Sequence, residues 1–182
     1  RVLAPYLGGG FGGKEDMTVE PFVALATFLT GRPVSMVWSR QESLLARAKR
    51  HPMRFRYRTA ARRDGTLVAH DVDVLSDAGA YPNLSSYVLL YMSVNVTGPY
   101  SCPNTRVRSR AVYTNNTPNS AMRGFGSMQA VLGYEGQMDR VADAIGMDRI
   151  EFRRRNAIKT GDRIPVGQQI TTSVWLLQCI DE

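Results

Sequence analysis

In MRFRYRTAARRDGTLVAHDVDVL, residues Met53–Leu75, two alternating stretches flank a short turn. Met53, Phe55, Tyr57 and Thr59 alternate with Arg54, Arg56 and Arg58. A period of two is that of a strand with one packed and one solvated face. Arg63-Asp64-Gly65 supplies the turn, so strands are expected at about 52–61 and 66–75. The same arginines, read from Arg47 to Arg63, are also the chain's nearest approach to a basic stripe with interleaved aromatics. Such a stripe would mark a nucleic-acid surface. The alternation favours the strand.

Working outward, helices surround this hairpin. Thr18 is placed to cap a helix with Pro21 in its first turn, Phe22, Leu25, Ala26 and Leu29 at helical spacing, and Gly31 as its stop. Val34 to Trp38 reads as a short buried strand. Ser39 with Glu42 forms a capping box for a helix to about Arg47. A helix is expected near 84–96, a strand over 106–113, a loop at 115–120 and a long helix over about 127–145, whose apolar positions include Met128, Val131, Leu132, Met138, Val141 and Ile145. Gly146 ends that helix, and Asp148 caps another through about Asn156. Arg1 to Leu7 reads as a strand entering a glycine loop. The fold class is α+β, mixed sheets with packed helices. The 182 residues read as one piece of a larger protein, divisible into lobes at about 1–50 and 51–182.

Composition narrows the function. At 43% hydrophobic and 21% charged, the chain is ordinary globular protein, and no apolar run reaches the roughly 18 residues a membrane span needs. The net charge of +7 is nearly all arginine; Lys14, Lys49 and Lys159 are the only lysines. Cys102 and Cys179 have no CxxC spacing, so they read as two lone buried thiols of a cytoplasmic protein, not as an iron–sulfur or zinc site. His51 and His70 have no metal-ligand spacing and read as structural.

Two glycine loops carry the chemistry. Gly8-Gly9-Gly10-Phe11-Gly12-Gly13-Lys14-Glu15 places five glycines where bare backbone can approach an anionic ligand. A P-loop would want Ser or Thr where Glu15 stands. A dinucleotide fingerprint, Gly8-x-Gly10-x-x-Gly13, lacks an evident βαβ unit with its acidic residue. A pterin-type cofactor loop and a loop with no ligand remain. In Ala121-Met122-Arg123-Gly124-Phe125-Gly126, Phe125 offers a stacking ring and Arg123 a donor fork; the competing reading is a helix start with Phe125 in the core.

Together, GGGFGGKE at 8–15 and AMRGFGSMQ at 121–129, about 110 residues apart, resemble the molybdenum-cofactor subunit of xanthine dehydrogenase and aldehyde oxidoreductase-like enzymes, the molybdenum hydroxylases. RHP at 50–52, RDGT at 63–66, YTNNTPNSAMRGFG before the second loop and MDRVADAIGMDRIEFRRRNAI at 138–158 agree. The resemblance spans the chain. It implies oxidation of a heteroaromatic, purine-like ring or an aldehyde, with water as oxygen donor and a molybdopterin-type molybdenum cofactor. Electrons would leave through iron–sulfur clusters and FAD, in partner domains or subunits.

By that resemblance, Gly10, Phe11, Gly12 and Arg123 lie against the cofactor. Glu15, Ala121 and Phe125 line the substrate site. Where xanthine-type enzymes carry a substrate-orienting arginine, this chain has Tyr91, which puts xanthine itself in doubt. Ser127-Met128 also stands where Gly-Pro is common. The general base, a glutamate, is expected beyond Glu182, so no catalytic residue is assigned within the chain, and the isolated chain is expected to be inactive. The rival function is a basic nucleotide- or RNA-binding domain using the glycine loops for phosphates.

Overall fold

A computed structural model describes residues 1–182. Six helices and three strands follow one another as α1 (Glu20–Thr30), α2 (Arg40–Ala46), β1 (Met53–Ala61), β2 (Leu67–Gly79), α3 (Ser85–Asn95), β3 (Asn104–Tyr113), α4 (Ser127–Ile145), α5 (Arg149–Asn156) and α6 (Leu176–Asp181). The sheet order is β1-β2-β3. β1 and β2 form the expected antiparallel hairpin, whereas β3 runs parallel to β2 after crossing over through α3. The architecture is the α+β one expected.

One face of the sheet is the core. Val72 and Val74 of β2 pack with Met92 and Val96 around α3 and with Ala130 of α4, flanked by Met53, Phe55 and Tyr57. A second cluster joins Leu67, Tyr100, Met138, Ala142 and Phe152. On α4 the buried residues are Ala130, Met138 and Ala142, while Met128 and Leu132, expected in its apolar stripe, are exposed. Small residues on this face let the helix lie close: Tyr57 stands directly under Gly133, and its hydroxyl donates to the Val96 carbonyl at 2.9 Å. Burial raises the Tyr57 pKa, keeping the phenol neutral.

The opposite face holds the arginines. Asp71 is paired with Arg58 and Arg106, and Asp73 with Arg108 and Arg110. The alternation at 53–59 is thus that of a strand, and these arginines of the solvated face are tied to carboxylates. The Arg153-Arg154-Arg155-Asn156 run is structural as well. Arg153 bridges Glu135 and Asp139 at 2.7 Å each. Buried Asn156 accepts from the Leu67 amide and donates to the Gly65 carbonyl, both at 2.8 Å, tying α5 to the hairpin turn.

Local caps form largely as the sequence specifies. Ser39 and Glu42 make a reciprocal capping box, and Asp148 accepts from the amides of Ile150 and Glu151 at 2.9 Å. Four further expectations fail. Arg1–Leu7 and Val34–Trp38 are not strands; neither pairs with the open edge of β1 or of β3. Thr18 does not cap α1; Val19 holds that place, and the Thr18 amide instead donates to Glu20 at 2.7 Å. Cys179 is exposed on α6 and Cys102 only half-buried. No helix is long and apolar enough to cross a membrane.

Both histidines are buried and structural. His51 Nε2 lies 2.8 Å from Ser85 Oγ, and His70 Nδ1 lies 3.0 Å from Thr59 Oγ1. His70 Nε2 has no partner, and burial pushes its pKa down to about 4. The folded state therefore holds His70 neutral, while the unfolded chain takes up its proton near about pH 6.5. This contribution to stability is complete above that pH and is lost as pH falls toward 4. Burial lowers the His51 pKa in the same direction. Urea titrations should show a loss approaching roughly 3 kcal/mol from His70 between pH 7 and 4, taking about 1.4 kcal/mol per unit. His70→Gln should flatten that dependence; an unchanged slope would place the linkage elsewhere.

Candidate functional site

The two glycine loops, far apart in sequence, meet in space. Gly12, at φ 85°, lies so close to the second loop that a Cβ there would stand 2.7 Å from the Ala121 carbonyl carbon and 2.8 Å from the Met122 nitrogen. Only glycine fits both that conformation and that contact. Ser120 Oγ donates to Asp16 Oδ1 at 2.8 Å, a second tie between the loops. Across the junction, the Arg123 guanidinium carbon sits 5.6 Å from the centre of the Phe11 ring, a cation–π pair.

Each loop is turned by a phenylalanine in the left-handed region, Phe11 at φ 49° and Phe125 at φ 47°. Non-glycine residues pay for this conformation, and such strain gathers at ligand sites. Phe11 is 69% exposed. Phe125 is half-buried, not in the core, and its ring meets Tyr91 edge-on with centroids 6.1 Å apart. Tyr91 comes from α3, brought beside the loop where Gly126 packs onto Val88 and Met92 of that helix. Ala121 is buried beneath Gly12. Glu15 is exposed and enters none of the chain's ion pairs.

The loops offer donors. The amides of Gly8 through Gly12 give no backbone hydrogen bond within the chain, and neither do those of Arg123, Gly124 and Gly126. Arg123 has no carboxylate partner. Free amides beside a free guanidinium suit an oxyanion-bearing ligand such as a molybdopterin. Neither nucleotide fingerprint has its setting. No strand precedes the first loop, α1 begins only at Glu20, and Lys14 Nζ is turned back to the Gly9 carbonyl at 2.5 Å. A cavity of about 640 Å³ lies elsewhere, where β2 and β3 begin, lined by Arg58, His70, Asp71 and Arg106. No cluster of three or more His, Cys, Asp or Glu side chains is arranged to ligate a metal.

Sequence reasoning gave Arg47 and Arg50 no role, although Arg50 opens the RHP run at 50–52 that shares in the resemblance. Both belong to the α2–β1 connection and reach the loops.

Known proteins of the same construction define the class. Residues 1–157 match the family model of the molybdopterin cofactor-binding domain, and the chain belongs to that family. It is 43% identical over all of its 182 residues to the nicotinate dehydrogenase large molybdopterin subunit of Eubacterium barkeri, spanning 43% of that protein. It is 36% identical over its whole length to the xanthine dehydrogenase/oxidase of Mus musculus, spanning 14% of it. Among solved structures, the aldehyde oxidoreductase of Desulfovibrio gigas superposes with a TM-score of 0.91 at 37% identity, over 96% of this chain and 19% of that one. The chain thus spans less than half the length of these relatives.

Proposed function

We propose that the chain forms part of a molybdenum hydroxylase that oxidises a nitrogen heteroaromatic ring or an aldehyde, with water as oxygen donor. The observation that carries this reading is the junction of the two loops, where free amides and an unpaired arginine converge on one surface. Gly10, Phe11, Gly12 and Arg123 would hold the cofactor, with their free amides and the guanidinium as donors to it. When bound, that cofactor supplies the redox centre that accepts the substrate's electrons.

The remaining side chains handle the substrate. Phe125 and Tyr91 present aromatic surface to a flat ring. Ala121 keeps the floor low, and Glu15 offers a carboxylate to a ring N–H. A neutral phenol at Tyr91 disfavours xanthine, and the likeness to a nicotinate dehydrogenase subunit supports a smaller nitrogen heterocycle. The general base comes from outside these residues, as do the iron–sulfur and FAD partners. A division at about residue 50, into 1–50 and 51–182, matches the core, since both hydrophobic clusters draw only on residues after His51. Free cysteines suit a cytoplasmic site.

The test is metal analysis and turnover of the parent enzyme. Stoichiometric molybdenum and oxidation of a nitrogen heterocycle are expected, and Arg123→Met should lower turnover at least ten-fold. A parent enzyme that lacks molybdenum, or binds RNA in a salt-dependent manner instead, would contradict the proposal.

A further inference from the structure

The connection between α2 and β1, residues 47–52, lies against both loops. Its backbone is stitched to the approach to the second loop: the Lys49 amide donates to the Pro118 carbonyl and the Ser120 amide to the Lys49 carbonyl, each at 3.0 Å. From this strut, Arg50 Nη2 donates to the Arg123 carbonyl at 2.7 Å, and Nη1 to Gln129 Oε1 at 3.3 Å. Gln129 Nε2 returns a bond to the His51 carbonyl at 3.1 Å. These bonds close a ring joining the strut, the second loop and α4. On the other side, the Arg47 guanidinium lies beside Gly13, where a Cβ would stand 2.7 Å from Nη2.

Arg50 enters no ion pair, so both of its observed contacts are to neutral acceptors. The carbonyl it holds belongs to the peptide joining Arg123 to Gly124. The next two residues, Gly124 at φ 91° and Phe125 at φ 47°, both have left-handed backbone. Fixing that peptide sets the backbone from which the Arg123 and Phe125 side chains depart.

We propose that Arg50, braced by Gln129, is the positioning residue that aims Arg123 and Phe125 at the bound cofactor and substrate. The inference rests on the cofactor-site reading above. A rigid fork can serve two acceptors at once, whereas a lysine ammonium is a single point charge on a flexible stem. A misplacement of about 1 Å remote from the chemistry can cost about a hundred-fold in rate.

The experiment uses the molybdenum-loaded parent enzyme. Arg50→Met should lower kcat about ten- to a hundred-fold with a much smaller change in KM, and should alter the electron paramagnetic resonance line shape of the partly reduced molybdenum. Arg50→Lys should recover part of both. Gln129→Leu should give a smaller loss in the same direction, and it carries the test should Arg50→Met fail to accumulate. Arg54→Met, which removes the same charge from the solvent face of β1, should match the wild type. If Arg50→Met keeps the native kcat and line shape while Arg123→Met changes both, the positioning role is wrong and the cofactor reading stands. If Arg123→Met and Phe11→Ala also change neither, the cofactor reading has failed, and this inference fails with it.

Discussion

Gly12→Ala in the parent enzyme is expected to lower turnover at least about a hundred-fold, equivalent to roughly 2.7 kcal/mol of transition-state stabilisation. The added methyl would stand 2.7 Å from the Ala121 carbonyl carbon and 2.8 Å from its oxygen, well inside van der Waals contact, on a backbone at φ 85°. The neighbouring atoms are backbone and cannot swing aside as a flexible side chain could. The loops must part, carrying Phe11 away from Arg123. Gly8→Ala is the matched comparison, because a Cβ there meets nothing within 4 Å. It should retain most of the activity. Steady-state turnover and molybdenum content of the two variants decide the matter: equal activity would mean that contact between the loops is dispensable.

The second large effect concerns substrate selection. Glu15→Ala should lower turnover of a nitrogen heterocycle by roughly ten- to a hundred-fold. Leaving a buried polar group of the bound ring unmet costs about 1–3 kcal/mol, and about 1.4 kcal/mol corresponds to each decade of rate. An aldehyde, with no ring N–H to satisfy, should be affected less. Tyr91→Arg should improve oxidation of a purine, since a guanidinium stabilises developing negative charge that a neutral phenol cannot. The check is kinetics on one heterocycle, one purine and one aldehyde for wild type and both variants. Equal, negligible effects of Glu15→Ala on heterocycle and aldehyde would remove Glu15 from the substrate site while leaving the cofactor loops untouched.

Local signals were readable in the sequence because their physics is local. The hairpin at 53–79, the Ser39–Glu42 box, the Asp148 cap and the Gly31 and Gly146 stops each depend on residues a few positions apart. The parallel pairing of β3 with β2 was not readable, since the crossover through α3 is set by burial of Val88 and Met92 against distant partners. Arg1–Leu7 and Val34–Trp38 have strand-like composition, but composition does not say which segments pair with a sheet edge, and these two do not. On α4 the expected Met138, Val141 and Ile145 do pack on the core, but the first half was misread because alanine and glycine, not Met128 and Leu132, sit where the helix crosses the sheet.

The site shows the same division. The two loop motifs and their residues were apparent from the chain, and their meeting in space followed from the need to serve one ligand. What holds them together was hidden. Asp16 on Ser120, Arg50 on the Arg123 carbonyl and Arg47 beside Gly13 are long-range contacts made by ordinary polar residues. Arg50 in particular lies within the basic run at 47–63, where alternation separates strand residues from a nucleic-acid stripe but says nothing of a guanidinium donated to a carbonyl.

Anomalous diffraction at the molybdenum absorption edge, from crystals of the parent enzyme, tests most directly whether the two loops together form one cofactor site. A single strong peak per molybdenum subunit is expected beside the junction, adjacent to both Phe11 and Arg123. A peak remote from either loop, with Phe11 and Arg123 still in contact, would contradict a shared site.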